Sequence, residues 1–201
     1  MEARIDRLTD LLQRQLFVEM EASGRHVHLT EEQVMILFGH GLTPVKELSQ
    51  PGQFVAQERV CIKGTKGELK NVAVLGPCRP LTQVEISLTD ARNLGIDAPI
   101  RLSGDVKNTP GCTIIGPKGT IVSDSGVIVA KRHIHMSQED AQLQNVKNGD
   151  VVRLKTLTNR PVVFDDVAIR VHSQFQTAVH LDYDEANACG FQKGDLGMIL
   201  R

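Results

Sequence analysis

The chain has 201 residues, 41% hydrophobic and 23% charged, with a formal charge of −1, enough to bury a real core in one large or two small domains. Near-neutral charge, scattered Lys and Arg and an aromatic content of only 3% exclude the basic field and stacking platforms of a nucleic-acid binder. No apolar run approaches a membrane span, and the first residues lack the long apolar core of a signal peptide.

Residues 1–20 read as an amphipathic helix. Ile5, Leu8, Leu11, Leu12, Leu16 and Phe17 recur at helical spacing, and Glu2, Arg4, Asp6, Arg7, Asp10, Gln13 and Arg14 occupy the other face. Ala22-Ser23-Gly24 breaks the pattern. The stripe either docks on the chain's own domain or meets a partner's groove.

From Gly24 onward short strands and turns take over. Thr30-Glu31-Glu32-Gln33 fits a capping box that starts a helix over 31–37, and Ser137 starts a looser counterpart over 138–143. A second pair of short helices is expected over 89–94 and 184–189, each stopped by a glycine, Gly95 and Gly190. Strands are expected over 59–63, 69–74, 100–102, 112–115, 120–122, 126–130, 151–155, 162–170 and 197–200. Gly64-Thr65-Lys66-Gly67 and Gly116-Pro117-Lys118-Gly119 are hairpin-type turns; the second lacks phosphate-loop spacing. Many short strands with Gly-rich turns favour a mainly β fold of small barrels, with short helices between the strands, over a doubly wound sheet. The expected division is a helix and linker over 1–23, a first barrel over 24–130 and a second over 131–201.

One phrase occurs twice. Arg25-His26-Val27-His28-Leu29-Thr30 returns as Arg132-His133-Ile134-His135-Met136-Ser137. A second phrase follows each copy: the run from Val84 to Ile96 aligns with that from Val179 to Phe191, which sets Glu85 opposite His180. In a strand, residues i and i+2 point to one face, so each His pair projects together. A lone His-x-His is weak evidence for metal, but five of the seven histidines fall in this repeat. His26, His28 and Glu85 form one three-ligand half-site and His133, His135 and His180 the other. Three protein ligands leave a fourth position open, the pattern of a catalytic rather than a structural zinc. His40 and His172 have no counterpart and read as ordinary histidines.

Arg79 sits in the rigid turn Gly76-Pro77-Cys78-Arg79-Pro80, six residues before Glu85. Arginine is the side chain suited to bidentate binding of phosphate or carboxylate. Arg25 and Arg132 should face away from their His pairs. Cys61, Cys78, Cys112 and Cys189 contain no Cys-x-x-Cys pair and read as packing residues of a reducing compartment.

Arg-His-Val-His-Leu, Gly-Pro-Cys-Arg-Pro with Gln-Val-Glu-Ile-Ser, Ser-Gly-Val-Ile-Val-Ala-Lys-Arg-His-Ile-His-Met and Val-His-Leu-Asp-Tyr-Asp-Glu-Ala-Asn closely resemble the PduL-type phosphate propanoyltransferases. The similarity runs from about Gly24 to the C-terminus. It implies a metal-dependent phosphotransacylase that interconverts acyl-CoA, acetyl or propanoyl, plus phosphate with acyl phosphate plus CoA. It also implies one zinc on His26, His28 and Glu85, a second on His133, His135 and His180, and Arg79 on the phosphate. The family's fold is two small β-barrels with an N-terminal strand exchanged into the C-terminal barrel, usually paired as homodimers. Many members carry an N-terminal peptide that meets shell or cargo proteins of a bacterial microcompartment in the cytoplasm, and residues 1–20 resemble one. Phosphate would attack the thioester directly at the dinuclear site, without a Ser or Cys nucleophile. Two alternatives use the same ligands: a dinuclear zinc hydrolase of phosphoesters or thioesters, and a structural metal protein without turnover.

Overall fold

The computed structural model describes residues 2–200. In chain order these form α1 (Glu2–Leu16), β1 (Val18–Ala22), β2 (His26–His28), α2 (Glu31–Phe38), β3 (Pro44–Glu47), β4 (Phe54–Lys63), β5 (Glu68–Gly76), β6 (Gln83–Ile86), α3 (Leu88–Leu94) and β7 (Ile100–Arg101). The chain continues through β8 (Cys112–Ile115), β9 (Thr120–Ser123), β10 (Val127–Ala130), β11 (His133–Met136), α4 (Gln138–Leu143), β12 (Val151–Leu157), β13 (Val163–Val171), β14 (Ala178–Leu181), α5 (Tyr183–Ala188) and β15 (Leu196–Leu200). No described helix is long and apolar enough to cross a membrane.

Two compact units result. One is Gly24–Lys131; the other joins residues up to Ser23 with those from Arg132 onward. Among the described residues, the second unit is a closed barrel in the order β1-β14-β11-β13-β12-β15. The first is a nine-stranded sheet, β7-β10-β6-β2-β5-β4-β8-β9, with β3 added on β4.

Both units run on one plan. β2 pairs parallel with β5 and antiparallel with β6; β11 pairs parallel with β13 and antiparallel with β14. β6 then takes β10 as a parallel neighbour, and β14 takes β1. β1 leads directly into β2 yet is a strand of the barrel, while β10 leads into β11 yet is a strand of the nine-stranded sheet. Each phrase around a His pair thus begins with a strand that completes the other unit.

Each unit has its own core. Val27, Leu37, Ile62, Val74, Leu94 and Ile114 belong to the first; Val18, Met20, Ile134, Leu154, Ile169 and Val179 belong to the second. The glycine turns close the hairpins as read from the sequence, with Gly64 N donating to Gly67 O at 2.9 Å and Gly116 N to Gly119 O at 2.9 Å. At Gly76, the last residue of β5, a Cβ would lie 2.1 Å from the Phe54 ring, so only glycine lets the strand run against that aromatic side chain.

The N-terminal segment departs from expectation. The sequence pattern predicts a helix through residue 20 and a linker through 23, but α1 ends at Leu16 and Val18–Ala22 is a barrel strand. The sequence Val18-Glu19-Met20-Glu21 alternates apolar and acidic residues, and Val18 and Met20 are buried. This period-2 signal is too short to stand out beside the preceding helical stripe. β3, Pro44–Glu47, was also missed; it is an exposed edge strand with no buried face to mark it. The α1 stripe stays exposed: Ile5, Leu8, Leu12 and Leu16 are each at least 50% accessible. The helix is tethered by Arg14, whose guanidinium donates to Glu139 and to the buried Asp140, each at 2.7 Å. Gln144 also donates to the carbonyls of Arg14 and Phe17.

Two truncations separate these roles. Removing residues 1–16 takes away no member of the barrel core and loses the two Arg14 side-chain bonds and the Gln144 bond to the Arg14 carbonyl, each charged one worth about 1.5–3 kcal/mol at most, so the melting temperature should fall while the barrel still unfolds cooperatively. Removing residues 1–22 strips two buried side chains, each worth ~1.5–3 kcal/mol, and opens the barrel edge between β14 and β15. That variant should lose cooperative unfolding of the barrel in calorimetry.

Candidate metal centre

The positions of the candidate donors follow from strand register. β2 and β6 pair with His26 opposite Glu85, and β11 and β14 with His133 opposite His180. Residues directly opposite in an antiparallel pair lie on the same face, and i, i+2 alternation adds His28 and His135. The potential donor atoms of His26, His28 and Glu85 all lie within 4.8 Å of one another, as do those of His133, His135 and His180.

Helix caps fix the end of each strand that carries a candidate donor. Two residues beyond the last candidate donor of each strand stands an N-cap whose side-chain oxygen accepts a backbone N–H of the next helix: Thr30 from Gln33, Ser87 from Asp90, Ser137 from Asp140 and Asp182 from Glu185. These bonds satisfy amide groups that the first helical turn would otherwise leave unpaired.

In the first triad, His26 Nδ1 lies 2.7 Å from the Gly24 carbonyl. That contact makes Nδ1 the protonated nitrogen and leaves Nε2, 3.6 Å from Glu85 Oε1, to face the cluster. His28 is buried, and its Nδ1 meets no partner of hydrogen-bonding geometry. Burial, with the neighbouring His26 and Arg79, pushes His28 down to about 2, so it is a neutral imidazole with a lone pair to offer. Burial also opposes charge on His26 and Glu85. Their mutual attraction outweighs it, with the Gly24 carbonyl helping His26 and the Ser103 hydroxyl helping Glu85. The His26 pKa is therefore held above the ordinary imidazole value and that of Glu85 below the usual carboxylate range.

In the barrel triad, His135 Nδ1 and His180 Nε2 approach to 3.2 Å, and the rings of His133 and His180 stack at 5.1 Å. Glu21 pairs with His180 across β1 and β14, and its carboxylate lies 3.7 Å from His180 Nδ1. The Phe175 ring packs tilted against His135, with ring centroids 4.3 Å apart.

Arg79 lies near the first triad. Its Nη1 donates to Ser103 Oγ at 3.3 Å, and its backbone N–H to the Leu29 carbonyl at 2.9 Å. Ser103 Oγ also accepts from Gln83, whose carboxamide contacts Glu85. The reading from sequence missed Gln83 and Ser103. Gln83 was legible in principle, since it stands two residues before Glu85 and shares its face.

The arginines before each His pair were expected to face away from the ligands, and both are engaged in matching ion pairs. Arg25 Nε lies 3.2 Å from the buried Asp90, and Arg132 Nη1 lies 2.8 Å from Glu185. Each pair ties the start of a His strand to the helix that follows the third member of the triad. Cys78 packs half-buried against the first core, and burial with the nearby Glu31 raises its thiol pKa. Cys112 is pushed up to about 12 by burial. His40 and His172 stand outside both triads.

The donors suit a divalent ion of intermediate softness such as zinc, since imidazole and carboxylate are its ordinary ligands. A bound ion would also answer the unpartnered nitrogen of His28.

Fold and site define a β protein with one three-donor motif built twice. The family model for phosphate propanoyltransferase matches residues 19–192. The phosphate propanoyltransferase of Clostridioides difficile is 51% identical over 98% of this chain and 95% of its own length. That of Leptotrichia buccalis is 56% identical over 90% and 86%, and that of Thermotoga maritima 50% identical over 98% and 95%. The chain belongs to the phosphate propanoyltransferase family and is an acyltransferase.

The Arg25–Asp90 pair is open to a double-mutant cycle. Arg25→Ala should destabilise by ~1–3 kcal/mol, because Asp90 is left buried without its cation. The coupling energy with Asp90→Ala should be about 0.5–3 kcal/mol in denaturant titration. A coupling near zero would remove the pair from the framework of the site.

Proposed function

We propose that this acyltransferase moves a short acyl group, propanoyl or acetyl, between CoA and phosphate with one divalent ion on each triad. The observation that carries this reading is the doubled set of two histidines and an opposed third donor, in a chain of the phosphate propanoyltransferase family. His26, His28 and Glu85 would hold one ion and His133, His135 and His180 the other. When bound, the ions supply Lewis-acid stabilisation of negative charge on phosphate and acyl oxygens.

The chain's own residues account for the rest. Arg79 binds a phosphate oxygen through its guanidinium, and Ser103 fixes the direction in which that guanidinium points. Holding phosphate against the thioester replaces a bimolecular encounter by one of high effective molarity. A phosphate oxygen forms the new C–O bond at the acyl carbon, and collapse of the tetrahedral species breaks the C–S bond and releases CoA as its thiolate. The raised thiol pKa values of Cys78 and Cys112 support direct transfer, because thiols held protonated are poor nucleophiles. The exposed α1 stripe supports use of this helix as a docking peptide for a microcompartment shell or cargo protein. Pairing into homodimers rests on the family resemblance.

Elemental analysis should find two divalent ions per chain, and chelation should abolish acyl transfer reversibly. Arg79→Ala should cut phosphate-dependent CoA release ~10²-fold, as loss of a transition-state charge donor does. Arg79→Lys should recover only part, because a point charge does not reproduce the guanidinium fork. CoA release at full rate without phosphate would instead identify a hydrolase. Removal of residues 1–16 should spare kcat and abolish co-sedimentation with shell proteins.

A further inference from the structure

Gln83 is 3% exposed, and its carboxamide is fully engaged. Its Nε2 donates to Glu85 Oε1 and, at 2.9 Å, to Ser103 Oγ; its Oε1 accepts the Gly104 N–H at 2.7 Å. The orientation of the amide is dictated chemically. A backbone N–H only donates and an ionised carboxylate only accepts, so turning the amide over would break two contacts at once. Ser103 Oγ also accepts from the Arg79 guanidinium at 3.3 Å. A continuous polar chain therefore runs Glu85–Gln83–Ser103–Arg79, anchored on the Gly104 amide. Gln83 is held on β6 opposite His28 and shares a face with Glu85.

We infer that Gln83 is a positioning residue that serves both ends of this chain, aiming the Glu85 carboxylate at its ion and fixing the serine that directs Arg79. The inference rests on the proposal that His26, His28 and Glu85 hold a metal ion. A carboxylate ligand in a low-dielectric pocket has several orientations of similar energy unless a donor selects one. In a buried site a hydrogen bond that does so is strong, and leaving one of its members unpaired is costly. Gln83 gives Glu85 and Ser103 a common support, so a change at this one side chain reaches metal retention and phosphate binding together.

The test compares wild type, Gln83→Met, Gln83→Glu and His26→Ala in zinc competition against a chromogenic chelator, with phosphate KM, kcat and melting temperature measured in parallel. Gln83→Met keeps the length of the side chain and removes all three hydrogen bonds. It should weaken one of the two zinc sites ~10–100-fold, the usual effect of losing a partner of a metal ligand. The other site should be unchanged, and the phosphate KM should rise more than kcat falls. Gln83→Glu keeps the acceptor for Gly104 but loses both donors. It should show the same pattern, and it carries the test should Gln83→Met fail to fold. A lower melting temperature with wild-type zinc affinity and phosphate KM would make Gln83 merely structural and overturn the inference. The metal reading fails separately, if His26→Ala retains zinc as wild type does.

Discussion

The constraint on which everything else depends is antiparallel register. Two histidines at i and i+2 share a face of a strand by the geometry of the pleat, but a pair of imidazoles is not yet a three-donor site. The third donor comes from the strand alongside, and it is opposed to the first histidine in both units: Glu85 to His26 and His180 to His133. A slip of one residue in either pairing would turn the third donor to the opposite face. The register is held by what the opposite faces bury. Val27 lies opposite Val84, Ile134 opposite Val179, and all four are buried.

Placing two imidazoles and a carboxylate in a dry pocket is unfavourable unless each polar atom has a partner. The surroundings of the first triad answer this in several ways. Gly24 takes one nitrogen of His26, Gln83 and Ser103 take up the carboxylate of Glu85, and the neutral state of His28 removes a charge that would be repelled there. The barrel triad uses a different solution, three imidazoles with the Glu21 carboxylate beside His180. One framework thus carries two donor sets of different charge, Glu85 in one and His180 in the other, which gives the proposed ions unlike electrostatic surroundings. The ion pairs Arg25–Asp90 and Arg132–Glu185 are the parts that remain alike.

Much of this was legible in the sequence because it was duplicated. The repeat of Arg-His-x-His and the alignment of Glu85 with His180 identified all six members of the two triads, and alternation explained the spacing. The capping box at Thr30 and the glycine stops at Gly95 and Gly190 located the short helices to within a residue or so. Local chemistry sets those features, so sequence reveals them. What escaped depends on pairing between distant segments. Val18–Ala22 looks like the tail of a helix until β14 and β15 are seen on either side of it. Gln83 looks like any polar strand residue until Ser103 and Gly104, twenty residues away, arrive at its carboxamide. Arg25 and Arg132 were placed away from the ligands, and their acidic partners lie on helices that sequence spacing does not bring near.

The most direct test of the account is anomalous diffraction at the zinc edge from crystals of the metal-loaded protein. The account predicts two strong peaks per chain, one bounded by His26, His28 and Glu85 and the other by His133, His135 and His180. Peaks elsewhere, or a single peak on only one of the two triads, would contradict it.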